Sequence, residues 1–323
     1  MEKQAVPVVD VVGVGLNATD TLIQLPHFPA FNTKMEFISA EVLPGGQVAS
    51  ALTACQHWGL KTRYVGKVGD DAAADLQRRE LAQAGVEAHL LSVPGCCSQV
   101  AFILVDQSCG ERTILWKRDP RLTQPPEELE HKWIVRARAL LVDGHDTAAA
   151  ATAARWAREA GIPVTADIDN LYSGVEALLE NVDYLVASRD FPARLTDDEN
   201  LLQSLPLIHR RYGCRVAGAT LGPEGVLVWD GVRFHYAAAY KVNAVDTTGA
   251  GDIFHGAFVY ALLQEWPLGR ALDFSCAAAG LNCTALGARG GIRPLTEIER
   301  LMCEGSRHAP AYDQRVLGRS AAS

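Results

Sequence analysis

The sequence predicts an α/β fold: a doubly wound, mostly parallel sheet flanked by helices, with a small β-sheet lid formed by two insertions. Short apolar runs rich in valine and alanine, the first at residues 8–14, indicate buried strands. From residue 139 onward such runs alternate with helical stretches, and we expect strands at 139–142, 163–167, 184–187 and 215–220. Strands separated by helices are typical of βαβ units, in which the strands run parallel.

The other elements of this core follow from the helical spacing of apolar residues and from glycines that end helices, such as Gly59, Gly85 and Gly161. The predicted helices are 49–58, 70–84, 147–160, 252–264, 271–285 and 296–303. Further strands are expected at 63–68, 226–229 and 231–236.

Two strand-rich insertions, near residues 23–43 and 98–120, interrupt this alternation. Each is too short to enclose a core of its own, so we expect the two to pair into one small sheet that covers a cleft. Residues 1–304 are therefore predicted to form one domain. The polar segment 305–323, which contains a proline and several small residues, is predicted to be a flexible tail.

Composition limits the classes of function. The 323 residues are 48% hydrophobic and 21% charged, as in ordinary globular proteins, and the net charge of −8 argues against a nucleic-acid partner. No apolar run reaches the roughly 18 residues of a membrane span, and the start of the chain lacks a signal-peptide pattern. The eight cysteines show no C-x-x-C spacing, which fits a reducing compartment. We expect a cytoplasmic protein without a membrane partner.

The run Asp246-Thr247-Thr248-Gly249-Ala250-Gly251-Asp252 carries the clearest chemical signal, because a strongly apolar helix follows it. Glycines at a helix start let the backbone approach a ligand, and the free N–H groups there bind anions. A carboxylate beside an anion site is unfavourable unless it has another task, and accepting a proton from an attacking hydroxyl is such a task. The bare G-x-G-D pattern alone would also fit a tight turn with a helix cap.

This run resembles the C-terminal signature of the ribokinase/PfkB family of carbohydrate kinases, and an N-terminal signature is also visible. The latter comprises Gly45, Gly46, Gly59, Gly66, Val68, Gly69, Asp70 and Asp71. The resemblance extends from about residue 8 to residue 296. It implies a phosphotransferase with an alcohol acceptor, which transfers the γ-phosphate of ATP to a hydroxyl of a small carbohydrate.

The resemblance also implies roles for individual residues. Asp252 would be the general base, with Gly249, Ala250 and Gly251 as the anion hole. The implied sugar-binding positions are Asp20, Gly45 and Gly46, and the implied nucleotide-binding positions are Thr220, Gly222, Gly225 and Asn282. Mg²⁺ would arrive with ATP, and the resemblance allows a K⁺ ion beside the anion hole, with Asp246 and Thr248 as ligands. Lid sheets of this family often pair between subunits, so a homodimer through the lid is also implied.

Two departures from the family pattern concern the ligands. Many relatives have Asn four residues after the second glycine of the Gly-Gly turn, where Ser50 stands here. We expect Ser50 to be a substrate-binding residue at this position, although its hydroxyl is too short to span the same distance to a sugar. The Asn-x-x-Glu element linked to magnesium and phosphate is replaced by Ser188-Arg189-Asp190-Phe191, in which Asp190 would substitute only in part.

The second insertion suggests how an acidic sugar could be recognised. With the two-residue period of a strand, Arg112, Ile114, Trp116 and Arg118 share one face. If that face meets the cleft, the two guanidinium groups could bind a carboxylate, phosphate or sulfonate. Alternatively, the arginines are solvated charges that protect a lid edge. We expect structural rather than catalytic roles for His145 and His255.

Other functions remain open from the sequence. Within the family these are a nucleoside kinase and a kinase for an acidic, sulfonated or phosphorylated sugar; a non-catalytic ligand-binding protein on the same fold is another. Residues 13–18 also fit the G-x-G-x-x-A fingerprint of NAD-dependent oxidoreductases. That fingerprint needs a helix directly afterwards, which Pro26 and Pro29 disfavour.

Overall fold

A computed structural model describes residues 9–108 and 111–313 of the chain. Its strands in these ranges are β1 (Val9–Val14), β2 (Ala18–Leu25), β3 (Ser39–Gly45), β4 (Thr62–Val68), β5 (Glu87–Ser92), β6 (Val100–Asp106), β7 (Arg112–Lys117), β8 (Ala137–Asp143), β9 (Val164–Asp167), β10 (Tyr184–Ser188), β11 (Val216–Thr220), β12 (Val226–Trp229) and β13 (Phe234–Ala237). The α-helices are α1 (Gln47–His57), α2 (Ala72–Gln83), α3 (His131–Ile134), α4 (Thr147–Glu159), α5 (Val175–Leu179), α6 (Phe191–Thr196), α7 (Leu201–Tyr212), α8 (Ala250–Leu263), α9 (Leu268–Asn282) and α10 (Leu295–Glu304).

The central sheet has the order β13-β12-β11-β10-β9-β8-β1-β4-β5 over the described residues. The strands from β11 to β5 are parallel, and β12 and β13 are antiparallel additions. Helices cover both faces, since one apolar cluster includes α4 and α7 and the other includes α1, α8 and α9. The predicted doubly wound, mostly parallel α/β class is confirmed.

The edge strand β5 is the one strand of this sheet that the sequence analysis did not anticipate. Its polar residues Glu87 and His89 hide the strand pattern, and none of its residues is fully buried. Glu87 nevertheless has a partner inside the fold, because the fully buried Arg63 of β4 donates from Nε to its carboxylate at 2.9 Å. This ion pair joins the two strands side by side.

The small β-sheet lid is formed by the two insertions, as expected. Its order is β3-β2-β6-β7, with β2 and β6 parallel and the outer pairs antiparallel. The register places Asp20, Ala101 and Trp116 in one row across the sheet. Leu22, Ala101 and Ile103 are buried on this inner face, which is turned towards the central sheet. The opposite row contains Phe102, which is half exposed.

The strand order locates the cleft. From β1 the chain builds towards β4 and β5 on one side, and it later returns to β8 on the other side of β1. Ligands of open α/β sheets bind at such a switch point, outside the carboxyl ends of the strands. Asp143 and Asp167 end β8 and β9 at this edge, and the lid begins directly after β1.

Helices α1 and α8 cross at close distance, which fixes the two sides of the cleft relative to one another. A Cβ atom on Gly256 of α8 would lie 2.7 Å from the backbone oxygen of Ala51 in α1. The Sγ of Cys55 also contacts the Gly256 oxygen at 3.2 Å. Because α1 follows the Gly45-Gly46 turn and α8 follows Gly249, this crossing holds both turns in place.

The segment after α10 makes specific contacts up to the end of the described range. Arg307 donates to the oxygen of Ala238 at 2.7 Å and also contacts Asp273 and Tyr240. The Ala311 N–H donates to the Tyr236 hydroxyl at 2.9 Å. Residues 305–313 of the predicted flexible tail are therefore held against the body, while 314–323 lie outside the described residues.

None of the helices in the described ranges is both long enough and apolar enough to span a bilayer.

Asp71 joins α2 to the start of the lid strand β6, and this gives a test of the fold. Its carboxylate accepts from the N–H of Ala74 as a helix cap, and from the N–H and hydroxyl of Ser98 at 2.9 and 2.7 Å. Although burial acts to raise it, the hydrogen bonds from Ser98 and Ala74 lower the pKa of Asp71.

We expect Asp71→Ala to lower the free energy of unfolding by about 1–2 kcal/mol at neutral pH, measured by urea denaturation. The pKa of Asp71 is depressed in the folded state, so its contribution is present above the unfolded pKa of about 3.9 and is lost as the pH falls further. The difference from wild type should shrink over that acid range. Asp75→Ala, an exposed position of the same helix, is the control; an equal loss there would contradict the assignment.

Candidate active site

The start of α8 presents the backbone N–H groups that the sequence analysis predicted to form an anion hole. Gly249 has a φ of 75°, and a Cβ there would lie 2.4 Å from the Ala288 oxygen, so only glycine fits. The Ala250 N–H makes a long 3.3 Å hydrogen bond to the Thr247 oxygen. The Gly251 N–H has no backbone partner within the described ranges. Space above Gly251 is open, because a Cβ there would meet no atom within 4 Å.

Asp252 follows in the first turn of α8 and is partly buried. Burial raises the pKa of this carboxyl to about 6, while the charges of Arg112 and Arg289 oppose the rise and those of Asp169 and Asp143 add to it. A carboxylate with a pKa near 6 is ionised at neutral pH and remains basic enough to accept a proton. The environment therefore suits a general base.

Asp20 lies across the cleft on the inner face of the lid, against the Gly45-Gly46 turn. A Cβ on Gly45 would lie 1.9 Å from the Asp20 carboxylate, and one on Gly46 would meet the backbone of Asn17 at 2.5 Å. The turn thus requires both glycines. Burial, with the nearby charge of Asp252, raises the pKa of Asp20 to about 7. The structure brings Asp20, Gly45, Gly46 and Asp252 to one space.

Ser50 lies behind the turn rather than in the cleft. It is fully buried in α1, and its Oγ accepts a hydrogen bond from the Nε of Arg289 at 3.2 Å. The Ser50 hydroxyl therefore faces Arg289, and a role of Ser50 in binding the sugar stays a prediction. Arg289 could not be identified from the sequence, because nothing in the G-A-R-G-G run reveals where its side chain points.

The two lid arginines have different surroundings. Arg112 of β7 reaches across the cleft and donates to the Thr247 hydroxyl beside the anion hole. Arg118 donates to both carboxylate oxygens of Asp146, at 2.9 and 2.6 Å, and to the Leu122 oxygen. Trp116 faces the cleft, with its ring edge-on to His145. Arg112 can meet a ligand, whereas Arg118 is engaged by Asp146 and Leu122 at the base of the lid. A role of Arg118 in binding substrate stays a prediction.

The predicted nucleotide loop follows β11 at the carboxyl edge of the sheet. Thr220 ends the strand, and Gly222 and Gly225 have φ values of 59° and 99° around a short 3-10 turn. Arg189, from the altered segment after β10, donates to the Leu221 oxygen and forms an ion pair with Glu224 at 3.1 Å. Phe191 of that segment is buried in the core. The segment thus braces the loop instead of offering a glutamate.

Asn282 holds a loop together and does not reach the cleft. It is fully buried, and its Nδ2 donates to the oxygens of Thr248 and Ala288, both at 3.2 Å. Its Oδ1 accepts from the Gly291 N–H at 3.2 Å. Its amide thus has three partners within the protein, and its implied role in binding the nucleotide stays a prediction. Asn282 ties the anion-hole segment to residues 287–291.

Asp246 and Thr248 lie in the same buried region. The Asp246 carboxylate accepts from the N–H groups of Thr248 and Gly287 at 2.9 and 2.8 Å. The Thr248 hydroxyl is enclosed and has no hydrogen-bond partner among the residues that the structure describes. An orphaned hydroxyl oxygen beside a buried carboxylate is a donor set that fits a monovalent cation.

Further polar residues support the site from behind. His255 is buried, its Nε2 donates to the Val186 oxygen at 2.7 Å, and its Nδ1 lies 2.8 Å from the Gly251 oxygen and 3.3 Å from the Asp167 carboxylate. Asp143 accepts from the Leu16 N–H at 2.6 Å. Burial raises the pKa of Asp143 and of Asp167. In the sequence, the one indication that these two aspartates belong to the site is that each lies at the end of a predicted strand.

Comparisons with known proteins agree with this geometry. The family described as "pfkB family carbohydrate kinase" matches residues 5–294. The ATP-dependent ribose-1-phosphate kinase of Halopiger xanaduensis is 27% identical, over 87% of this chain and 94% of its own. A provisionally assigned ribokinase from Agrobacterium tumefaciens has a crystal structure with a TM-score of 0.86 and 30% identity, over 92% of this chain and 98% of that one. A provisionally assigned ribokinase II from E. coli, in complex with ATP and Mg²⁺, shares the fold with a TM-score of 0.80 and 19% identity, over 92% of this chain and 99% of that one.

Proposed function

Because the chain belongs to the pfkB family of carbohydrate kinases, we propose that it transfers the γ-phosphate of ATP to a hydroxyl of a small sugar bound between the lid and the carboxyl edge of the sheet. One observation carries this proposal: a partly buried carboxyl, Asp252, adjoins the N–H groups of Ala250 and Gly251 at the start of α8 and faces a second carboxyl, Asp20. A general base, an anion-binding site and a carboxylate that can accept hydrogen bonds from sugar hydroxyls thus meet in one cleft.

Asp252 acts as the general base in this mechanism. It accepts the proton of the attacking hydroxyl, and the oxygen then displaces ADP in line from the γ-phosphate. Negative charge on the transferred group is stabilised by the N–H groups of Gly251 and Ala250, which are fixed before the substrate arrives. The weak bond of Ala250 to the Thr247 oxygen is exchanged for the phosphate.

The sugar is held by Asp20 and the Gly45-Gly46 turn. A carboxylate accepts hydrogen bonds from neighbouring hydroxyls, and a turn without side chains lets the sugar approach the backbone. Arg112 and Trp116 close the cleft from the lid. A closed lid excludes water, which limits the wasteful hydrolysis of ATP.

The nucleotide lies along the edge formed by Thr220, Gly222 and Gly225. Mg²⁺ is expected with ATP, because it neutralises charge on the phosphates. The orphaned Thr248 hydroxyl and the Asp246 carboxylate are the groups that would hold a K⁺ ion close to the anion hole. The exposed Asp190 is a candidate for part of the missing Asn-x-x-Glu function.

A kinase for an anionic sugar is the second candidate, and Arg112 favours it. Its guanidinium is a positive lid charge that faces the cleft, where it could bind a carboxylate or phosphate on the substrate. The relative named as a ribose-1-phosphate kinase indicates that the family includes phosphorylated acceptors. A nucleoside kinase is the remaining alternative within the family.

The direct test is ADP release from ATP·Mg²⁺ with four groups of acceptors: neutral sugars, acidic or sulfonated sugars, sugar phosphates and nucleosides. We expect turnover with a sugar, and added K⁺ should increase it if Asp246 and Thr248 bind that ion. Turnover confined to anionic sugars would select the second candidate, and turnover confined to nucleosides would replace the sugar assignment. If folded protein that binds ATP releases no ADP with any acceptor of the panel, a non-catalytic ligand-binding protein would be favoured.

Asp252→Asn should retain the fold and nucleotide binding but lose roughly 10²–10⁴-fold in kcat, because the amide cannot accept the hydroxyl proton. Steady-state ADP release and ATP titration of the same preparation measure the two effects. Asp75→Asn, an exposed position of α2, is the matched control. Near-normal kcat in Asp252→Asn would exclude this residue as the base.

The outer face of the lid supports the proposed homodimer. Val42, Phe102 and Leu115 lie in one row across the lid, with Thr21 of β2 between Val42 and Phe102. These three apolar residues are 60%, 49% and 55% exposed. A second copy of the chain would remove these apolar residues from water. Sedimentation should therefore give twice the chain mass of 34.8 kDa.

Phe102→Asp should shift this species to the single-chain mass, because dimerisation would bury an unpaired charge. Val232→Asp, at an exposed apolar position of the β12–β13 turn, should not. A wild-type protein that sediments as one chain at assay concentrations would contradict the dimer.

A further inference from the structure

Arg289 occupies the sugar side of the cleft, yet no step of the proposed reaction assigns it a task. It lies in the loop between α9 and α10 and is partly buried. Its Nη2 donates to the Gly45 oxygen at 2.8 Å, and its Nε donates to the Ser50 hydroxyl at 3.2 Å. One guanidinium therefore holds both the sugar-binding turn and the helix that follows it.

These contacts explain why Ser50 suits this chain. The hydroxyl is short and fully buried, and it leaves the space that the Arg289 side chain fills beside the turn. Asp20 presses on the turn from its other side, with no room for a Cβ at Gly45. The position of the turn is thus set by a carboxylate on one side and a guanidinium on the other.

The charge of Arg289 acts on two carboxyls at once. Asp20 and Asp252 face the same space, and each is disfavoured as an anion by burial and by nearby negative charge. Arg289 lowers the pKa of both, and both stabilise its own positive charge, although burial lowers its pKa to about 10. The other charges that act on Asp252 are Arg112, Asp143, Asp167 and Asp169, and Asp246 acts on Asp20.

Part of the guanidinium is still available. Its Nη1 makes no hydrogen bond to any residue in the described ranges, while its Nη2 and Nε are engaged. The free Nη1 can donate to an acceptor oxygen of a bound sugar.

We propose that Arg289 is a positioning residue for phosphoryl transfer: it fixes the Gly45-Gly46 turn and serves as the shared counter-ion of Asp20 and Asp252. This inference rests on the proposed function, because it assumes that a sugar binds at the turn and that Asp252 is the base. It assigns the arginine a role in recognising the sugar and no role in binding the nucleotide.

The direction of the pH effect follows from the charges. Asp252 must be ionised to accept a proton, so kcat/KM for the sugar rises as the pH increases through the pKa of this group, about 6. Removing the positive charge of Arg289 makes both carboxyls harder to ionise. The acid limb of the pH profile, which is the range where kcat/KM rises with pH, therefore moves to higher pH. A neighbouring opposite charge typically shifts a carboxyl pKa by about one unit or more.

The experiment compares Arg289→Met, Arg289→Lys and wild type in ADP release between pH 5 and 9, with the sugar found by the acceptor panel. Arg289→Met should raise KM for the sugar about tenfold or more, move the acid limb up by about one unit and leave KM for ATP unchanged. Arg289→Lys should restore the acid limb but not KM, because lysine keeps the charge and cannot bond both partners. Arg155→Met, at an exposed ion pair of α4, is the control.

An unchanged acid limb in Arg289→Met would overturn the counter-ion role, and an unchanged KM for the sugar would overturn the role at the turn. Urea denaturation confirms that each variant is folded. If Arg289→Met does not fold, Ser50→Ala removes one contact and keeps the charge. It should raise KM without moving the acid limb, and an unchanged KM there would contradict the role at the turn.

A second readout needs no turnover. ¹³C NMR titration of the aspartate carboxyls, with the two resonances assigned by their loss in Asp20→Asn and Asp252→Asn, should show both pKa values rising in Arg289→Met. Unchanged values would overturn the inference even in an active kinase. Raised values in a protein that turns over no acceptor would support the charge coupling while the proposed function fails.

Discussion

The close crossing of α1 and α8 is the constraint on which the site depends. Gly256 lets the two helices approach until a side chain at that position would strike the backbone of Ala51. The Gly45-Gly46 turn, which we propose to bind the sugar, precedes α1, and the proposed anion hole begins α8. Their separation is therefore set by packing rather than by flexible loops. Well-packed helices in an apolar core do not adjust continuously, and this gives the cleft a fixed width.

Each turn is then fixed by atoms that leave no room for a side chain. Gly249 meets the Ala288 backbone and Gly45 meets the Asp20 carboxylate. Asn282 joins the first of these contacts to the neighbouring loop through three hydrogen bonds. The N–H groups at the start of α8 are consequently oriented before any ligand binds, and preorganised dipoles of this kind stabilise transition-state charge most effectively.

The lid and the charges around it complete this arrangement. Arg112 connects β7 to the anion-hole segment, and Arg118 anchors the base of the lid to Asp146. Several carboxyls converge on the sheet edge, and burial raises the pKa of Asp20, Asp143 and Asp252. Positive charges from the lid and from the loop after α9 make this concentration of acids tolerable. Burial and the repulsion between neighbouring carboxylates commonly raise the pKa of a carboxyl towards neutral pH, which makes it a better proton acceptor.

The sequence by itself determined the order of strands and helices, the two lid insertions and the apolar helix behind Asp252, because these depend on local periodicity and on glycines. It could not reveal β5, whose edge position places charged residues in a strand. Only the tertiary structure decided which polar side chains remain available to a ligand. Ser50 and Arg289 are 239 residues apart, yet they share a hydrogen bond. Such a partner is fixed by how the elements pack, and no local pattern encodes it.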